Sequence, residues 1–108
     1  MEDKSIFMEY FGTSPMIKVL DFLIEGKDFD YSMTEIAKKS GVGWSSFTRV
    51  WKKLLNKKIV LKTRTIGNAK LFKLNTKNPA VQNLVKLDWE LTKLETNKML
   101  SKKKMFAT

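Results

Sequence analysis

Apolar positions along the 108-residue chain fall into short periodic runs separated by polar punctuation, and the spacing inside each run predicts an element. Lys4 to Phe11 reads as a short helix offering Ile6, Phe7, Tyr10 and Phe11 to a core. Gly12-Thr13-Ser14-Pro15 breaks it and starts another, with Ser14 as cap and Pro15 at the first helical position, where no amide donor is needed. Ile17, Leu20, Phe22, Leu23 and Ile24 give that second helix a broad apolar face, and Gly26 ends it. Lys27 to Tyr31 is a polar connection with room for a brief strand pairing. Ser32-Met33-Thr34-Glu35 is a capping box that opens a helix through Lys39. After the break Ser40-Gly41-Val42-Gly43, a longer helix spans about Trp44 to Lys57. Two β-rich runs, Ile59 to Thr65 and Ala69 to Leu74, flank Ile66-Gly67-Asn68 as a hairpin. Asn78-Pro79 begins a last helix reaching the neighbourhood of Met99. The tail SKKKMFAT shows no periodicity and reads as frayed.

Two of these helices carry a second pattern. In the Trp44–Lys57 run, Phe47, Val50, Trp51 and Leu54 recur at i, i+3, i+4, i+7 and so face a core. The opposite side presents Ser45, Arg49, Lys52 and Asn56, with Ser46, Thr48 and Lys53 beside them. Trp51 belongs to the core stripe; Trp44 lies at its edge, where it packs or touches a partner's backbone. In the last helix, Leu84, Leu87, Leu91 and Leu94 follow 3-4-3 spacing beside Val81 and Val85. A helix of about 20 residues extends roughly 30 Å, more than a domain this size covers easily. Pairing with a second copy buries the far end; folding back on its own domain is the alternative. Lys98 and Ser101 end the seam.

Met33 to Lys52 meets several constraints of a helix-turn-helix at once. Ala37 stands where two helices cross too closely for a larger side chain. Gly41 follows four residues later, where the turn needs a positive φ. Ile36, Val42, Phe47 and Val50 occupy the positions buried between the helices, while Ser40 departs from the usual apolar preference. With the lines MTEIAKKSGV, LLNKKIV and KTRTIGNAKLFKLN, the stretch from about Phe11 to Leu74 resembles the winged helix-turn-helix regulators of the broad MarR-, ArsR- and PadR-like kind, of archaeal type. The resemblance implies a mainly α fold with a small β-hairpin wing and a C-terminal dimerisation helix. It also implies that the second helix of the motif enters the major groove and the wing tracks the neighbouring backbone. The expected divisions are a DNA-binding domain over 1–76, a dimerisation helix over 77–100 and a basic disordered tail over 101–108.

Charge sharpens this picture. Residues 1–35 hold three lysines and eight acids, residues 36–87 thirteen Lys or Arg and no acid, and residues 88–108 five lysines and three acids. An ordinary solvated surface intersperses both signs, so the acid-free middle points to a polyanion. Arg49 is the candidate guanine reader, because its fork matches the O6 and N7 acceptors. Lys52 and Lys53 are candidates for phosphates, and Ser45, Ser46 and Thr48 let the backbone approach the groove. On the hairpin, Lys62 and Arg64 stand two apart and point to one face, forming with Asn68 and Lys70 a clamp for backbone or minor groove. A hairpin that only closes the sheet is the competing reading.

Chemistry narrows the rest. The chain has neither cysteine nor histidine, which removes thiolate, imidazole and zinc-finger chemistry, and no nucleophile–base pair or phosphate loop is visible. An enzyme is not expected, nor a cofactor, an evident small-molecule ligand or a membrane span. The expectation is a cytoplasmic, nucleoid-associated homodimer that binds double-stranded DNA and regulates transcription. The alternatives are a plasmid or viral protein for partition or replication-origin binding, and a winged helix used as a protein-interaction module.

Overall fold

The computed structural model describes residues 4–106. Helix α1 (Ile6–Phe11) leads to α2 (Pro15–Glu25), β1 (Tyr31–Ser32), α3 (Met33–Ser40), α4 (Trp44–Asn56), β2 (Val60–Ile66), β3 (Ala69–Leu74) and α5 (Pro79–Phe106). The three strands form an antiparallel sheet in the order β1-β3-β2.

Helix starts follow their caps. Ser5, Ser14 and Ser32 each accept a first-turn amide on the side-chain oxygen, and Ser32 with Glu35 closes a complete capping box. Gly41 ends α3 in the left-handed region at φ 72°. Its amide donates to the Lys38 carbonyl and the Val42 amide to that of Ala37, which satisfies two of the helix's last acceptors. The Ser40 hydroxyl donates back to the Ala37 carbonyl at 3.2 Å, so its departure from an apolar residue leaves no stranded polar group. The hairpin turns on two residues between the paired Ile66 and Ala69. Gly67 takes φ 59° at the first turn position, which suits a type II′ turn with glycine leading.

Helices α1 to α5 and one face of the sheet close on a single core. Val19 and Leu23 from α2, Ile36 from α3, Phe47 and Trp51 from α4, Leu74 from β3 and Val81 from α5 are all essentially without solvent contact. Trp51 stacks on Phe47 and meets Phe72 edge-on, which ties α4 to β3. Of the four α1 residues expected inside, only Phe7 is buried. Ile6 is partly covered, while Tyr10 and Phe11 stay almost half exposed, because a helix of one and a half turns shows only one face to the core. Tyr10 instead donates to Glu95 Oε1 at 2.7 Å, pinning α1 to α5. The carboxylate partner holds the Tyr10 phenol above its ordinary pKa.

Helix α5 differs from expectation in length. It runs through Phe106, past the expected end near Met99 and through most of the stretch taken as a disordered tail; Ala107 and Thr108 lie outside the described residues. Its 28 residues extend about 42 Å, in a molecule measuring 60 × 32 × 23 Å. No helix among the described residues is long and apolar enough to cross a membrane.

Candidate nucleic-acid interface

Helix α4 separates its two sides as its periodicity requires. Phe47, Trp51 and Leu54 are buried and Val50 is half-buried, while Ser45, Arg49, Lys52 and Asn56 are exposed together on the far side. Ser46 and Thr48 are partly covered, and the Thr48 hydroxyl donates to the Ser45 carbonyl at 3.0 Å. Lys53, one turn after Arg49 and beside it on the helix surface, is exposed and also lines an open groove with Met16, Lys57 and Asn78. The helix begins at Gly43, which brings no side-chain oxygen to its first amides, unlike the serine-capped α1, α2 and α3. Those amides and the helix dipole leave a partial positive charge beside Ser45 and Ser46.

The hairpin overturns one geometric expectation. Lys62 pairs with Phe72 and Arg64 with Leu71, so Thr63 is an extra residue, a bulge in β2. Because neighbours on β3 face opposite ways, the bulge sends Lys62 and Arg64 to opposite faces instead of one. Lys62 lies on the face of Val60 and Phe72, toward α4, and the register puts Lys70 on that same face. Arg64 lies on the reverse face, where Asp30 holds it: Nε donates to Oδ2 at 3.0 Å and Nη2 to Oδ1 at 3.2 Å. The Thr63 hydroxyl donates to the same carboxylate at 2.5 Å. The Arg64 guanidinium, with Thr63 helping, holds the Asp30 carboxyl below its usual range, and Asp30 in turn raises the Arg64 pKa. The structure thus gathers Ser45, Arg49 and Lys52 on one helix face and Lys62 and Lys70 on one hairpin face, with Asn68 exposed at the turn. Arg64 is engaged elsewhere. The sequence signal for that was weak: Asp30 is an acid in a polar loop 34 residues away, and only the strand pairing brings it near.

The four leucines of α5 do not make one exposed stripe. Leu84 packs against the core and Leu91 is buried, whereas Leu87 and Leu94 are exposed, as are Trp89, Met99 and Leu100.

No protein-family model matches the sequence, and a search of curated proteins finds no match. Solved structures do match. A Lactococcus lactis ZitR double mutant in apo form superposes with TM-score 0.60 at 18% identity, over 89% of this chain and 74% of that one. The fold is a MarR-type winged helix. A MarR-family transcriptional regulator from Silicibacter pomeroyi gives TM-score 0.56 at 17% identity, over 85% of this chain and 60% of its own. Wild-type ZitR in complex with DNA gives 0.55 at 19% identity, over 80% and 60%. This winged helix therefore spans between about three fifths and three quarters of those structures' lengths.

Proposed function

We propose that the chain binds double-stranded DNA as a homodimer and regulates transcription. The observation that carries this reading is the exposed, acid-free side of α4 with Ser45, Arg49 and Lys52, presented on a winged helix whose structural neighbours include a regulator in complex with DNA. In this reading α4 lies in the major groove. Arg49 hydrogen-bonds a guanine, and Ser45, Ser46 and Thr48 let the helix approach. Lys52 and Lys53 meet phosphates, and Lys62, Asn68 and Lys70 follow the backbone beside them. Arg64 has a different part, orienting the hairpin through Asp30. Exposed Leu87 and Leu94, beside an α5 too long for one domain to cover, support pairing with a second copy.

Enrichment of bound fragments from a randomised duplex pool tests the reading. A shared, two-fold symmetric sequence is the expected result. Recovery of no duplex at low salt would sink it.

A further inference from the structure

Trp44 opens α4 and leaves 54% of its surface in solvent. Its indole stacks on Phe47, with centroids 5.5 Å and planes 25° apart, and the fully buried Phe47 stacks in turn on Trp51 at 5.2 Å and 22°. Trp51 reaches Phe72 on the sheet edge-on at 5.3 Å. One side of the Trp44 ring is therefore fixed by an aromatic column running through the core, and the ring cannot turn inward without displacing Phe47. By helical spacing it borders the exposed side of Ser45, Arg49 and Lys52, one turn before the half-buried Thr48.

We infer that Trp44 determines specificity on this surface by packing its indole against the 5-methyl group of a thymine in the major groove. The inference rests on the DNA-binding reading above. Inside a duplex the base faces are stacked on one another, and the apolar surface the major groove offers is the thymine methyl. Indole has one donor and no acceptor, so it reads little of the hydrogen-bonding pattern and much of the shape. Its surroundings favour a polyanion over an apolar protein partner: no acid occurs from Ile36 to Leu87. A ring already held in place loses little rotamer freedom on contact.

The test uses the full chain and the duplex it enriches from a randomised pool, resynthesised with uracil replacing one thymine at a time. Wild type loses affinity by roughly threefold to tenfold at one thymine per half-site, the scale of one buried methyl group. Trp44→Ala binds the thymine and uracil duplexes alike at that position, and Trp44→Phe keeps part of the preference. A merely structural Trp44 would lower thermal stability and leave the thymine–uracil ratio untouched, which overturns the inference. So does indifference of wild type to every uracil. Failure to enrich any duplex defeats the DNA-binding reading itself and is read before uracil enters the experiment.

Discussion

Arg49 projects from the middle of the exposed side of α4 with five donors in a planar fork, and its value depends on what it meets. Against a guanine edge, Arg49→Ala costs about 1–3 kcal/mol on the preferred duplex and blurs the choice at one base pair. Competition between the selected duplex and a scrambled one measures this; equal losses on both would make Arg49 a phosphate contact. Arg64 looked equivalent along the sequence and is not. Its charge is already matched by the bidentate Asp30, whereas Lys62 stands exposed on the face turned toward α4. Lys62→Ala should flatten the log–log dependence of binding on salt by about one unit, as a lost phosphate contact does. Arg64→Ala should leave that slope unchanged while weakening binding through the hairpin's orientation. A slope change as large in Arg64→Ala as in Lys62→Ala would refute the distinction.

At the scale of elements, the acids that α2 and α5 bring near one another carry a pH signature. Burial, and then the charge of Asp21, holds the Asp88 carboxyl above its usual range, with Lys27 opposing. Burial also raises Glu25, helped by the charges of Asp21 and Asp88. A carboxyl whose pKa is raised by folding favours the native state when protonated, and this contribution is lost as pH rises through the folded-state value. At neutral pH the ionised Asp88 therefore opposes folding. Asp88→Asn should raise the melting temperature at pH 7, and the gain should shrink as pH falls through and below the ordinary carboxylate range. Melting curves from pH 3 to pH 8 check this; a difference constant with pH would mean the substitution acts through packing. This cluster was not legible in the sequence, where Asp21, Glu25 and Asp88 are ordinary surface acids. Asp21 is buried because α1 returns over α2 and Ser5 donates to it at 2.6 Å.

The molecule as a whole is an elongated body from which one helix extends, and that shape bears on assembly. Leu91 is buried inside the chain, so changing it would damage the domain before it reports on dimerisation. Leu87→Glu/Leu94→Glu is the sharper test, because both positions are exposed in the single chain. If they lie in a two-fold seam, the paired charges cannot stay desolvated and light scattering shows a monomer with an unchanged circular dichroism spectrum. Loss of the linked second contact then lowers affinity for a palindromic duplex by on the order of a hundredfold. A wild-type protein already monomeric at micromolar concentration would remove the seam from the proposal.

Local chemistry was enough to fix several features of this protein from the sequence. The cap at Ser14, the capping box at Ser32, the glycine ending α3 and the glycine-led hairpin turn all act within a few residues of themselves. The buried stripe of α4 follows from periodicity alone, and the acid-free stretch is a property of composition. Tertiary structure decided whatever depends on partners distant in sequence. Val19, not among the residues read for the apolar face of α2, is fully buried because α3 and α4 both cover that helix. Lys58 takes a left-handed φ of 58° where glycine is usual; its carbonyl accepts from the side chains of Asn75 and Asn78, beyond the hairpin. The bulge at Thr63 reversed Arg64 because strand register, unlike helical phase, is set across the sheet rather than along the chain. The leucines of α5 divided between inside and outside for a similar reason: spacing defines a stripe, but the placement of the core and of α1 determines which part of it is covered.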